Sequence, residues 1–349
     1  MYISHFKLVV WILVSIFILF ATGCLSTIHS NLIHKDFTED LKADNQWNDK
    51  SFNNRPVNMK YNEPQNLLAI GYESGIVKIW DTKSKDRKFE FKAHKNRANE
   101  LIFSSDGSAL FTNSHFEESV KIWNTHSGEL IYEIPNVRGP VGLTPNKNVY
   151  IVASSGGARL FDYDLMYLYP EVHKTNGTIT SIAKNNTKNL IATGTASGAI
   201  EVWKYSENNS IPTLEKISNS KPYSDGNWVR GLAFSSLGGY LYSVSRHASF
   251  DKWIPNDLKN IQSTTTASQN ISSTSFLIEK NMLLTAAHGS KLSPGYSGFV
   301  QVLSLDGKEK NAYLSKGSVN AIEFLPSTTS SVLVSVFAGG IRVHPLQEK

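Results

Sequence analysis

One short pattern recurs seven times after residue 53. It reads Ile76-Val77-Lys78-Ile79-Trp80-Asp81, Val120-Lys121-Ile122-Trp123-Asn124, Ala158-Arg159-Leu160-Phe161-Asp162 and Ile200-Glu201-Val202-Trp203-Lys204. Weaker copies follow at Phe250-Asp251-Lys252-Trp253, Val300-Gln301-Val302-Leu303 and Ile341-Arg342-Val343-His344. Measured between the large terminal residues, the steps are 43, 38, 42, 50, 50 and 41 residues. Self-similarity at such a period builds a solenoid, a propeller or an array, because one unit cannot bury its apolar surface alone. Most copies alternate apolar and polar residues, the period of a β-strand.

Each copy is flanked by further strand signals. The second unit shows them in order: Ala98–Ser104, a Ser105-Asp106-Gly107 turn, Ala109–Ser114, Ser119–Trp123, a Thr125-His126-Ser127-Gly128 turn, and Glu129–Ile134. Four short strands separated by Gly, Asp and Ser turns make one antiparallel blade. These residues resemble the WD-repeat family, and the likeness spans residues 56–349. It is most specific where the third strand ends in Trp and weakest where Phe161, Leu303 and His344 stand there.

The resemblance implies an all-β fold, a seven-bladed β-propeller of four-stranded antiparallel blades occupying residues 45–349. The last unit stops soon after His344, so the ring is expected to close with a strand near Asn45–Asp49. Trp47 would then cover the outer edge of the last blade. An open edge strand would invite pairing with other chains. Trp80, Trp123, Trp203 and Trp253 read as structural residues. In the family such a Trp shares a hydrogen-bonded set with Ser or Thr, Asp, and the His of the entering loop. His94 matches that His, and Ser114 or Thr112 could supply the hydroxyl. The Asp position holds Ser74, Glu118, Ser197 and His247, which predicts an eroded network and reliance on apolar packing.

The start of the chain concerns address rather than fold. Lys7, the apolar run Leu8–Phe20 and the small residues before Cys24 describe a secretory signal, residues 1–23. Ala21-Thr22-Gly23-Cys24 resembles the lipobox of bacterial lipoproteins, although Ala21 stands where that family usually has leucine. The resemblance implies cleavage before Cys24, the only cysteine, and its acylation. An uncleaved anchor and an ordinary signal with an incidental cysteine are the alternatives. Several acyl chains, at about 0.8 kcal/mol per buried methylene, would hold the protein on a membrane. Leu25 after the cysteine favours, by the sorting rule of enteric bacteria, the outer membrane of a Gram-negative host. Residues 24–44 are mostly polar and read as a flexible tether.

The formal net charge of +5 is spread along the chain without a clustered basic run, which argues against nucleic-acid binding. The histidines lack metal-ligand spacing, and neither a Gly-x-Ser-x-Gly elbow nor a phosphate-binding Gly-Lys-Ser loop occurs. No cofactor or metal is expected. The richest loops belong to units five and six. They place Tyr223, Trp228, Arg230, Arg246, His247, His288 and Tyr296 as a candidate partner-binding rim, since aromatics and Arg dominate binding interfaces. Against that, Trp228 and Arg230 occupy positions the repeat also fills for packing.

The expectation is a monomeric, membrane-tethered, non-catalytic scaffold for protein partners in the cell envelope. An enzyme with a site at the central pore and a glycan- or peptidoglycan-binding module are the rivals. Fold alone does not choose among them.

Overall fold

Alternation along the strands becomes a gradient of burial across each sheet. In the computed structural model, which describes residues 54–268, 270–288, 298–315, 317–325, 331–336 and 340–345, the first sheet runs Pro56–Asn62, Leu67–Tyr72, Ile76–Asp81, Arg87–Lys92. Every residue of its second strand is buried, whereas its outermost strand is largely exposed. A strand covered on both faces by neighbouring sheets tolerates only apolar or internally bonded residues, and a rim strand need not.

Five further sheets repeat this antiparallel meander. The second comprises Glu100–Phe103, Ala109–Asn113, Ser119–Asn124 and Leu130–Pro135, within two residues of the sequence-predicted strands. The third comprises Val141–Leu143, Val149–Ser154 and Gly157–Asp162, with its outer strand split into Tyr167–Leu168 and His173–Lys174. The fourth runs Ile179–Asn185, Leu190–Thr195, Ile200–Asn208, Ile211–Ser220; the fifth runs Val229–Phe234, Leu241–Ser245, Ser249–Ile254, Lys259–Thr265. The sixth is Ile271–Leu277, Met282–His288, Gly298–Ser304, Glu309–Ser315.

The expected count of seven four-stranded blades is therefore corrected to six. The remaining strands, Val319–Leu325, Ser331–Val336 and Gly340–Pro345, make a sheet of only three. The strand expected at Asn45–Asp49, with Trp47, lies outside the described residues, as do Cys24, the signal segment and the tether. The three-stranded sheet nevertheless fills the gap between sixth and first blades. Its inner strand packs against both neighbours, and Lys60 Nζ of the first blade meets Glu323 Oε2 at 2.9 Å. That carboxylate raises the Lys60 ammonium above its ordinary value.

Two β-bulges recur and mark the units as copies of one plan. One falls at the large residue ending the third strand, at Ile79/Trp80, Ile122/Trp123, Val202/Trp203, Lys252/Trp253 and Val302/Leu303. The other interrupts the inner strand between Pro56/Asn58, Ile179/Ser181, Val229/Gly231, Ile271/Ser273 and Val319/Ala321. A bulge leaves one residue out of the ladder and re-aims its side chain. The skipped residues of the second set are Val57, Thr180, Arg230, Ser272 and Asn320, and of these Thr180, Arg230 and Ser272 line the central channel.

The hydrogen-bonded network is less eroded than the sequence suggests. In the second blade Trp123 Nε1 donates to Thr112 Oγ1 at 2.9 Å, and His94 Nε2 meets the same hydroxyl at 2.9 Å. His94 Nδ1 meets Glu117 Oε2 at 2.9 Å, so Glu117 rather than Glu118 supplies the acid. One proton arrangement satisfies every atom: the indole donates to the hydroxyl, the hydroxyl to neutral His94, and His94 to the carboxylate. In the fourth blade Trp203 Nε1 donates to Thr193 at 3.0 Å, and the fully buried Glu201 is met by Lys216 at 2.6 Å.

Acid should attack the second blade through this network. Burial holds His94 below the ordinary imidazole value of 6.5, against the pull of Glu117. Burial raises Glu117, but its bonds from His94 and the Lys95 N–H outweigh that and leave it below the ordinary 4.5. Below 6.5 the unfolded chain takes up protons that folded His94 refuses. Below 4.5 the unfolded carboxyl does the same, so both groups lose stability as pH falls. Thermal midpoints measured from pH 7 to pH 4 should fall, and His94→Gln should flatten the upper part of that slope. An unchanged slope in the variant would refute the assignment.

Candidate functional site

The inner strands surround a channel of about 540 Å³, lined among others by Asn58, Glu100, Thr180, Arg230, Ser272 and Glu323. One mouth is formed by the loops that enter the blades and those joining second to third strands. Arg246, just past a second strand, donates its backbone N–H to the Trp228 carbonyl at 2.8 Å, and its own carbonyl accepts from Ile271 N at 2.8 Å. His247 N–H is held by Asn227 Oδ1 at 2.8 Å. Two neighbouring loops are thereby locked to one another.

The inner-strand bulge of the fifth blade decides which side chain reaches the mouth. Val229 is fully buried in the blade core, while the bulge after it leaves Arg230 out of the ladder with its guanidinium over Trp228. The Arg230 guanidinium carbon lies 4.7 Å from the Trp228 ring centre and that of Arg246 lies 5.6 Å from it. Such cation–π contacts fix cations in place. Burial and the Arg246 charge press the Arg230 guanidinium below its ordinary value, with Glu100 acting against them.

The surroundings add more positive charge. Arg55 pairs with Glu73, and Arg97 reaches the same carboxylate at 3.6 Å. Burial, then the charges of Arg55, Arg230 and Arg97, hold His288 below the ordinary imidazole range. Five of the eight arginines of the chain, Arg55, Arg97, Arg138, Arg230 and Arg246, lie on or beside the loops at this end.

The structure thus groups Trp228, Arg230, Arg246, His247 and His288 around one mouth. Tyr296 lies outside the described residues. Tyr223 is a correction: it is only 7% exposed and belongs to the blade, not to the rim. Its hydroxyl meets Ser243 Oγ at 2.7 Å and Asp251 Oδ2 at 2.5 Å, while Trp253 Nε1 donates to that serine at 2.8 Å. Tyr223 precedes Trp253 by 30 residues, as His94 precedes Trp123 by 29. That spacing was the available signal that Tyr223 stands in the histidine's place. Sequence reasoning passed over Arg55 and Arg97, which adjoin the group only because the ring closes. Among the described residues no three His, Cys, Asp or Glu side chains gather as a metal site.

Comparisons with known proteins agree with this architecture. No family model matches the chain. It is similar to the E3 ubiquitin-protein ligase COP1 of Arabidopsis thaliana, 23% identical over 165 residues, which are 46% of this chain and 24% of that protein. It is similar to the WD repeat-containing protein 55 homolog of Dictyostelium discoideum, 22% identical over 49% of this chain and 43% of that one. Human apoptotic protease-activating factor 1 matches at 21% over 56% of this chain and 16% of its own length. The chain therefore spans less than half the length of these curated relatives. The crystal structure of the Cps50 (Swd1) β-propeller domain of Myceliophteria thermophila superposes with a TM-score of 0.66 at 16% identity, covering 84% of this chain and 97% of that one. These relatives and this neighbour support the WD-repeat likeness, and the superposition shows a β-propeller fold.

Proposed function

We propose that this chain is a non-catalytic platform for a protein partner, held on a membrane of the cell envelope by lipid on Cys24 and working through the mouth around Trp228. The observation that carries this reading is the union of Trp228, Arg230 and Arg246 at an open end of the propeller. Among the described residues none of the three takes part in a blade's Trp-centred network. Trp and Arg are the residues on which interface energy concentrates. The WD-repeat relatives support a role in binding, and the lipobox-like segment supports the tether.

Cross-linking in intact membranes tests both parts. A protein should be recovered in stoichiometric amount with the unaltered chain, and Trp228→Ala should lose it while the fold persists. Recovery that is indifferent to Trp228→Ala, or bound sugar in place of protein, would overturn the platform. Cys24→Ser should abolish incorporation of labelled palmitate and release the protein from the membrane fraction. Labelling that survives the substitution would refute the tether.

A further inference from the structure

The inner-strand bulge places comparable residues beside the channel, and it shows where the fifth blade departs from the plan. In the fourth blade Thr180 Oγ1 donates to the carbonyls of Gly194, at 3.2 Å, and Val229, at 2.8 Å. In the sixth, Ser272 Oγ donates to those of Ala286, at 3.2 Å, and Val319, at 3.0 Å. A short hydroxyl there ties a blade to its own second strand and to the next blade. Arg230 occupies the same position and forms no such tie. Its guanidinium lies over Trp228, and its buried Nε has no hydrogen-bond partner.

Among the described residues, charge around it is out of balance. Four guanidiniums, of Arg55, Arg97, Arg230 and Arg246, face the carboxylates of Glu73 and Glu100. Glu73 already serves Arg55 and Arg97, and Glu100 lies 3.5 Å from His115 Nε2. Neither Arg230 nor Arg246 has a carboxylate within ion-pair distance among the described residues. Two like charges beside one indole, one of them partly desolvated, repel each other until an anion comes between them.

We infer that Arg230 and Arg246, steadied by Trp228, form an oxyanion-recognition site for a carboxylate or phosphoryl group on a side chain of an extended partner peptide. The inference rests on the platform reading and gives it a chemistry. Guanidinium forks match the geometry of both groups and bind them in paired, charge-assisted hydrogen bonds. The Trp228 ring holds both guanidiniums by cation–π contact, at 4.7 and 5.6 Å, beside one another. A peptide suits the mouth because one side chain can enter while its backbone crosses the loop ends.

The test uses the full chain in detergent and labelled synthetic peptides followed by fluorescence anisotropy. Peptides carrying a central Glu-Glu pair or a phosphoserine should bind, the Gln-Gln counterpart should not, and inorganic phosphate should compete. Arg246→Ala should weaken binding about tenfold or more, the scale of one charge-assisted contact. Arg230→Lys should weaken it less than Arg230→Gln, because lysine keeps the charge and loses the fork. Arg246 sits in a loop, so its variant remains informative if changes at Arg230 disturb the fold. Equal binding of the Gln-Gln peptide, indifference to Arg246→Ala, or binding of phosphate or phosphatidylglycerol vesicles without either acidic peptide would overturn the inference. Should the acidic peptides fail while a Trp228-dependent protein is still cross-linked, the oxyanion site falls and the platform stands. Should the peptides bind while no protein is recovered from membranes, the platform falls alone.

Discussion

Replacing Asp251 with alanine is expected to lower the stability of the protein by about 3 kcal/mol, the largest effect of any single polar truncation in the fifth blade. Asp251 is 4% exposed and accepts from four donors: Tyr223 at 2.5 Å, Ser249 at 2.6 Å, Ser263 at 2.5 Å and Asn260 at 3.3 Å. Alanine would strand the buried Tyr223 hydroxyl on that side and open a void beside half-buried Ser249, whereas the exposed Asn260 and Ser263 can turn to water; a buried unsatisfied group costs about 1–3 kcal/mol. Part of that is recovered because Ser263 and Asn260 also bond each other. Tyr223→Phe removes a single hydroxyl and should cost about 1–2 kcal/mol. Because the two residues share one hydrogen bond, the double variant should lose less than the sum of the singles, with a coupling of about 1 kcal/mol. Urea unfolding of the four proteins measures this. Strict additivity, or a loss below about 1 kcal/mol for Asp251→Ala, would show that the network is decorative.

That network also shows what could and could not be seen in the sequence. The strands were legible because alternation and turn residues are local: Ser119–Asn124 and Ala109–Asn113 lie where their pattern puts them. Trp123, Trp203 and Trp253 were legible as structure for the same reason. The acid of the network was not, since it depends on which loop folds back onto His94. A shift from Glu118 to Glu117 cannot be read from spacing alone. Tyr223 misled because an aromatic in a polar loop looks like an interface residue, and only its bond to Ser243 reveals it as a replacement for histidine. The number of complete blades was misread because seven third-strand signals do not guarantee seven fourth strands. Val319–Leu325, Ser331–Val336 and Gly340–Pro345 form their sheet without one among the described residues.

The candidate site was half visible. In Trp228-Val229-Arg230 the apolar Val229 is marked for the core, whereas Arg230 reaches the channel at a bulge. Arg246 followed from the strand-two turn. The feature that makes Arg230 unusual is its place at a bulge where Thr180 and Ser272 stand in sister blades, and bulges leave no trace in residue type.

The second large effect concerns the loop that carries His94. Gly75→Ala is expected to cost about 3 kcal/mol or more, although it adds a single methyl group. Gly75 has φ +80, and a Cβ there would lie 2.1 Å from the carbonyl oxygens of both His94 and Asn96. These are backbone atoms of the loop entering the second blade, so neither can rotate away as a side chain would. The same loop is pinned by Ala93 N–H and His94 N–H, which donate to the Gly75 carbonyl at 3.0 and 3.1 Å. Relief of the clash must therefore move His94 away from Thr112 and Glu117, adding the loss of that network to the steric cost. Gly156→Ala isolates the conformational share. Gly156 has a similar φ of +88 but nothing within 4 Å of its Cβ position, so only the left-handed backbone penalty of about 1–2 kcal/mol applies. Combining Gly75→Ala with His94→Gln should cost less than the two separately, because both disable one device. If denaturant unfolding finds Gly75→Ala no worse than Gly156→Ala, the turn of the first blade does not position the second, and the blades are coupled only by their apolar faces.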